Sequence, residues 1–178
     1  MQLLKKKLLG KDLAVSFRIK ETDFTRDRKQ SFSHALLFMF NLLRKSLGVE
    51  IDNFIRFMTN KLSHVKAQNF TTSDFVQNRK KIKPEVFKYL SDIIVENYYQ
   101  LEEDNLNLFY GFRLLAVDGS ILTLPNHKDL IKEFGVKTNQ SNVISIQARA
   151  SVLYDVLNNF VIDSDLSSMN VTERDQAL

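Results

Sequence analysis

The residue best placed for chemistry in this sequence is an aspartate behind an apolar run. The segment LLAVDGSILTLP, residues 114–125, runs through four apolar residues into Asp118, and Gly119-Ser120 follows. We predict that a buried core strand ends at Asp118, because a carboxylate inside such a strand is costly unless it is wet, paired or bound to a cation. The alternative is an Asp-Gly turn that needs only local hydrogen bonds.

Two clusters of basic side chains predict contact with a polyanion. Their members are Arg26, Arg28 and Lys29 in the first, and Arg79, Lys80, Lys81 and Lys83 in the second. Such cations neutralise phosphates, which gives salt-sensitive affinity with little sequence preference. Lysines that only balance a helix dipole are the alternative for the second cluster. His34, His64 and His127 show no metal-ligand spacing, so we assign them structural or surface roles.

Charge and composition narrow the class of protein. Residues 1–88 carry 19 Lys and Arg against 8 Asp and Glu, whereas residues 89–178 carry 6 against 13. A basic half joined to an acidic half suggests that the first half meets the polyanion. The chain has 178 residues, 14 of them Phe, and no cysteine, which fits one or two folded domains in a reducing cytoplasm. The longest apolar run, 35–43, is too short to span a membrane.

The periodicity predicts an α+β chain with two regions. Residues 1–110 show helical spacing, with a helix start near Ser31 or Ser33, a C-cap at Gly48, N-cap candidates Thr72 and Ser73, and a break at Pro84. Residues 111–178 change to strand spacing. Three strands are expected there, at 112–118, 142–157 and 160–166, joined as an antiparallel meander with an Asn158-Asn159 turn.

Several segments taken together resemble a known family. AVDGSILTLP, ARASVLYDVLNNFVIDSDL and TERDQAL, preceded by FTRDRKQSFSHALLFMFNLLRKSL and TTSDFVQNRKKIKPEVFKYL, resemble bacterial insertion-sequence transposases of the DDE type, in the family founded by insertion sequence four. The resemblance spans roughly residues 24–178. It implies a ribonuclease-H-like catalytic core, of which this chain would hold the opening three-stranded meander behind a helical, basic, DNA-binding region.

The resemblance also implies a metal-dependent activity. Family members cut and join DNA with two divalent ions, Mg²⁺ or Mn²⁺, held by an Asp-Asp-Glu triad, and Asp118 matches the first triad position. The second Asp and the Glu would lie beyond Leu178, so we expect a truncated chain that binds metal weakly or not at all, since Mg²⁺ needs more than one carboxylate or added phosphate oxygens. Asp155, Asp163 and Asp165 are substitutes by residue type only.

The sequence therefore predicts a truncated DDE transposase that binds DNA, with the terminal repeats of its element as the expected partner, without catalysis. The alternative is a non-catalytic helical DNA-binding or interaction module that inhibits transposition. We expect no membrane association and a cytoplasmic location. An incomplete core would leave a sheet edge uncovered, so we also expect residues 112–166 to be marginally stable or prone to self-association, with a homo-oligomer as one outcome.

Overall fold

The computed structural model describes residues 7–26, 30–41, 45–61, 68–101, 105–138 and 144–171. The chain divides into two compact units, residues 1–90 and 91–178. Across the described residues the fold is mixed α+β, with helices followed by an open antiparallel sheet. The predicted α+β class is therefore confirmed, while the ribonuclease-H-like assignment stays a prediction. None of the described helices combines the length and apolarity needed to span a membrane.

The first unit is helical. Its elements are α1 (Lys11–Phe17), α2 (Phe32–Met39), α3 (Leu47–Lys61), α4 (Thr72–Arg79) and the first part of α5 (Glu85–Leu101). Ser31 caps α2 as predicted, because its hydroxyl accepts a hydrogen bond from the backbone N–H of His34 at 3.2 Å. The predicted C-cap at Gly48 is wrong: α2 ends at Met39, and Gly48 lies inside α3.

The α4–α5 corner follows from local signals. Thr71 caps α4 through a capping box, in which its hydroxyl accepts from the Asp74 N–H at 3.1 Å and the Asp74 carboxylate accepts from the Thr71 N–H at 2.9 Å. The cap therefore lies one residue before the predicted Thr72. Pro84 immediately precedes α5, as predicted, because proline fits the start of a helix but not its interior.

Two hydrophobic clusters form the core of the first unit. One centres on buried Leu36, Val86 and Leu90, and the other on Phe38. Phe38 makes edge-to-face contacts with Phe54, Phe70 and Phe75, with ring centroids 4.7–5.9 Å apart, a geometry that adds to simple burial. Phe32 and Phe54 are buried like Phe38, whereas Phe40 and Phe57 are exposed.

The second unit contains the end of α5 and the sheet. Its further elements are β1 (Leu115–Leu124), α6 (Lys128–Phe134), β2 (Lys137–Thr138), β3 (Ile144–Asp155) and β4 (Phe160–Ser168). The three long strands are ordered β1-β3-β4 and are antiparallel, as predicted, and the short β2 pairs with the first two residues of β3. The β3–β4 turn spans 156–159, with Asn159 at φ 52°. Asn tolerates this left-handed conformation.

The first strand differs from its prediction. The sequence placed a buried strand over 112–118 that ends at Asp118, but β1 continues to Leu124 and Gly119-Ser120 is not a turn. Pairing with β3 runs from Leu115–Asp155 to Leu124–Ile146, and this continuous hydrogen-bond ladder outweighs the local turn preference. Residues 115–123 are all exposed, so the Asp118 carboxylate stays in water. A charge inside this strand therefore carries no burial penalty.

The compact units do not divide where the periodicity changes. The predicted regions were 1–110 and 111–178, and the change from helix to strand does fall between Leu101 and Leu115. The C-terminal part of α5 nevertheless belongs to the second unit, because its aromatic residues pack on the sheet. Tyr98 stacks on Phe160 of β4 with the ring centroids 4.5 Å apart.

Candidate nucleic-acid interface

The second basic cluster is joined to a distant basic segment by a short antiparallel bridge. The Ile19 N–H donates to the Lys81 carbonyl at 2.9 Å, and the Lys83 N–H donates to the Phe17 carbonyl at 2.8 Å. Arg18 thereby pairs with Ile82, whose side chain is buried in the core of the first unit. The bridge fixes the backbone of 81–83 and places Arg18 and Lys20 beside the predicted cluster.

The predicted cationic side chains at this bridge are not equivalent. Arg79, the last residue of α4, and Lys80, its C-cap, are exposed. The Lys81 ammonium donates to Asn78 Oδ1 at 3.0 Å, and the Lys83 ammonium donates to the Ser16 carbonyl at 3.3 Å. Arg79 and Lys80 are therefore the better placed for phosphate contact. Their position at the C-terminus of α4 also lets these cations balance the negative end of the helix dipole. This role is compatible with phosphate contact.

The chain that follows the first basic cluster is anchored near the same helix end, through Gln30. Asn78 Nδ2 donates to Gln30 Oε1 at 3.0 Å, and both residues are buried. Arg26 is exposed and lies four residues before Gln30, which limits the Cα separation of the two to about 14 Å. Arg28 and Lys29 lie outside the described residues. The structure thus anchors the chain next to this cluster against α4.

The charge division coincides with the division into compact units. Residues 1–90 hold 19 of the 25 Lys and Arg and 8 of the 21 Asp and Glu, a net charge of +11. Residues 91–178 hold the remaining 6 and 13, a net charge of −7. The basic character is therefore a property of one folded unit, which is the arrangement expected of a polyanion-binding surface.

Arg18 and Lys20 could not be predicted from the sequence as members of this surface. They lie about 60 residues from Arg79 and Lys80 along the chain, and no local spacing signals a bridge formed by a single pair. The acidic side chains Glu21 and Asp23 follow them directly, which hides any basic cluster in the sequence. Their recruitment depends on the tertiary pairing of 17–19 with 81–83.

The sheet separates Asp118 from the acidic residues considered as substitutes. Residues paired across an antiparallel ladder share a face, and the faces alternate along each strand. Asp118 pairs with Val152, which pairs with Ser164, so these three share one face. Asp163 and Asp165 pair with Leu153 and Ser151, and Asp155 pairs with Leu115. All three carboxylates therefore belong to the face opposite Asp118.

Asp155 has a structural role. It is fully buried, and its carboxylate accepts hydrogen bonds from Tyr99 Oη at 2.7 Å, from Asn158 Nδ2 at 2.9 Å and from the Asn158 N–H at 3.1 Å. Burial acts to raise the pKa of this carboxyl, but the hydrogen bonds from Tyr99 and Asn158 outweigh it and lower the pKa below the ordinary value of 3.8. Asp155 thus ties the β3–β4 turn to α5.

The remaining sequence candidates have local roles where they are described. His127 caps α6, its ring nitrogen accepting from the Asp129 N–H at 3.3 Å. Burial lowers the pKa of His34, at the start of α2, and His64 lies outside the described residues. Over the ranges that the structure covers, no three His, Asp or Glu side chains are grouped as metal ligands.

Comparison of the chain with models of known protein families, with characterised proteins and with solved structures finds no match. The transposase resemblance therefore rests on the sequence motifs themselves. The basic surface around the 17–19 and 81–83 bridge is the feature that geometry and charge both support.

Proposed function

We propose that the first unit binds DNA through the phosphate backbone of the duplex, with the basic surface of Arg18, Lys20, Arg79 and Lys80 as the contact. Further candidates for phosphate contact are Arg26, Arg28, Lys29, Lys81 and Lys83. The observation that carries this proposal is the bridge between 17–19 and 81–83, which gathers basic residues from separate segments on the unit with net charge +11. Phosphate contacts by Arg and Lys give affinity and register but little base preference.

Together with the sequence motifs, this surface supports a DNA-binding role within a DDE-type insertion-sequence transposase. The partner would be the terminal repeats of the element, and the location the bacterial cytoplasm where that DNA lies. We further propose that the chain binds without cutting. Mg²⁺ or Mn²⁺ would supply the phosphoryl-transfer chemistry of a complete triad, but Asp155, Asp163 and Asp165 lie on the opposite face from Asp118. These residues therefore do not fit a metal ion shared with Asp118.

The test is the salt dependence of DNA binding by two matched double variants. Arg79→Ala with Lys80→Ala removes two exposed cations from the basic surface, while Lys128→Ala with Lys132→Ala removes two exposed cations from α6 in the acidic unit. Fluorescence anisotropy of a labelled duplex gives the observed association constant over a salt series. Each lost phosphate contact lowers the slope of log K against log salt by about 0.9.

The expected result is a slope smaller by about 1.8 for the Arg79/Lys80 variant and an unchanged slope for the Lys128/Lys132 variant. Circular dichroism of both variants checks that the helices persist. Equal slopes for the two variants would show that binding follows overall charge and not this surface. Competition with terminal-repeat DNA against random DNA then measures the sequence preference, and nicking in Mg²⁺ that Asp118→Ala abolishes would overturn the non-catalytic assignment.

A further inference from the structure

The outer edge of β1 has no partner strand within the part of the chain that the structure describes. Among the residues that the structure describes, this ten-residue strand pairs with β3 alone. Its apolar side chains are exposed on both faces, with Val117 at 44% and Ile121 at 59% on one face and Leu122 at 43% on the other. An apolar edge of this length is a template for pairing with another strand.

The direction of the free backbone groups follows from one hydrogen bond. The Val156 N–H donates to the Leu114 carbonyl at 2.9 Å, so Leu114 turns its hydrogen-bonding groups toward β3. In an antiparallel ladder these groups alternate from residue to residue. The even-numbered residues of β1 therefore bond β3, and residues 115, 117, 119, 121 and 123 direct their N–H and C=O groups toward the open edge.

We propose that this edge pairs with the same edge of a second copy of the chain, antiparallel and centred on Gly119. A two-fold axis perpendicular to the sheet keeps each face of the sheet on the same side in both copies, so an odd-numbered residue pairs only with an odd-numbered one and an even with an even. The odd-numbered residues form the hydrogen-bonded pairs, because their N–H and C=O groups point toward the open edge. The sequence 114–124 is close to symmetric about Gly119 in this register. The pairs are Leu114 with Leu124, Leu115 with Thr123, Ala116 with Leu122, Val117 with Ile121 and Asp118 with Ser120, while Gly119 faces its own copy.

This register suits the side chains it brings together. The two-fold axis makes each of these pairs occur twice in the dimer. Val117 therefore packs beside Ile121 of the other copy in two places, and Ala116 beside Leu122 in two places, which removes exposed apolar surface from water. The Asp118 carboxylate lies opposite a Ser120 hydroxyl that can donate to it. The two Asp118 side chains are diagonal neighbours, roughly 7–8 Å apart, so they repel weakly in water, and Asp118→Asn should tighten the pairing.

The other long edge of the sheet is protected. β4 carries Asp163 and Asp165, and its register with β3 shifts at Leu153/Tyr154. Charged residues and bulges are the devices by which edge strands avoid pairing. β1 has one charge in ten residues and continuous register from Leu115 to Leu124. The contrast between the edges favours β1 as the one used for association, and this inference does not depend on DNA binding.

Sedimentation velocity of the purified chain across a concentration series tests the pairing. The wild-type chain should form a dimer, and Ile121→Lys should raise its dissociation constant about tenfold or more, because the lysine enters the interface twice. Leu166→Lys is the matched control, since Leu166 is 49% exposed on β4, and it should leave the constant unchanged. A monomer at every concentration, or a dimer that only Leu166→Lys weakens, overturns the proposal.

Disulfide cross-linking tests the register of the proposed β1–β1 pairing without relying on a loss of dimerisation. The chain has no cysteine, so Gly119→Cys introduces a single thiol at the proposed axis, where the paired Cα atoms would be about 5.5 Å apart, within disulfide range. Mild oxidation should convert this variant to a covalent dimer. Val117→Cys alone should not cross-link, whereas Val117→Cys with Ile121→Cys should. Cross-linking of Val117→Cys as fast as Gly119→Cys would overturn this register.

Discussion

Replacing Tyr99 with phenylalanine removes the hydroxyl that bonds a buried carboxylate of the second unit. The Tyr99 hydroxyl donates to the fully buried Asp155 carboxylate at 2.7 Å. Phenylalanine keeps the ring, and with it the Arg113 guanidinium that lies 4.6 Å from the ring centroid. A hydrogen bond to a charged group contributes about 1.5–3 kcal/mol. Because Asn158 continues to donate to the carboxylate, we expect Tyr99→Phe to cost close to that amount and no more.

A double-mutant cycle with Asp155→Ala measures this contact directly. Hydrogen exchange of amides in β3 and β4 reports the free energy of opening for the wild type, each single variant and the double variant. The coupling energy should be about 1.5–3 kcal/mol at pH 7. A coupling below about 0.5 kcal/mol would refute the claim that this hydrogen bond, and not simple burial of the ring, ties α5 to the turn.

The pH dependence of the coupling energy between Tyr99 and Asp155 is a second test of this contact. The Asp155 pKa is lowered from 3.8 in the folded state, so the folded chain holds this proton less strongly than the unfolded chain. Its stabilising contribution is complete above pH 3.8 and is lost as the pH falls through the folded pKa. Burial and the Asp155 hydrogen bond raise the Tyr99 pKa above 10.0, so the contribution also declines only above pH 10.0. A coupling energy as large at pH 2 as at pH 7 would contradict this assignment.

Two further pairs of variants test the glycines of two helices and the cap of a third, each measured by thermal unfolding followed by circular dichroism. Gly135 ends α6 at φ 75° and has open space where a Cβ would lie, so Gly135→Ala should cost about 1–3 kcal/mol through backbone strain alone. Gly48→Ala, inside α3, should instead raise the free energy of unfolding by about 0.5–1 kcal/mol. Changes of the same sign in the two glycine variants would refute this distinction. Thr71→Ala should cost about 0.5–2 kcal/mol, whereas Thr72→Ala, one residue further on, should be nearly neutral if Thr71 is the cap.

The parts of the fold that sequence predicted are those with local causes. Ser31 caps α2, Pro84 separates α4 from α5, and the Asn158-Asn159 pair lies in the β3–β4 turn. In each case a side chain or ring restricts its own backbone within a few residues, so the sequence nearby is sufficient. The pairing of β3 with β4 was predictable for a similar reason, since strands joined by a short turn pair as antiparallel neighbours. The chain between β1 and β3 is longer and contains α6 and β2, so their pairing has no such local cause.

The errors arise where distant pairing overrides a local preference. Gly119-Ser120 has the residue types of a turn, but alignment with Ser151 and Ala150 of β3 keeps it extended. The basic surface shows the same limit, because Arg18 joins Ile82 only through tertiary structure. The sequence alone predicted the basic residues of 79–83, but not that Arg18 and Lys20 lie beside them.

Asp118 carries a different meaning once its strand is known to be exposed. A carboxylate at the end of a buried strand would demand a partner or a cation, and this demand motivated a catalytic assignment. In an exposed strand the carboxylate is solvated and needs neither a partner nor a cation. The presence of Asp118 must then be explained by the function of the β1 edge. Pairing with a second copy gives Asp118 a serine neighbour and places Gly119 on the axis, whereas metal binding requires further carboxylates or phosphate oxygens beside Asp118. Asp118→Asn separates the two explanations, because it should strengthen association in the first and abolish metal binding in the second.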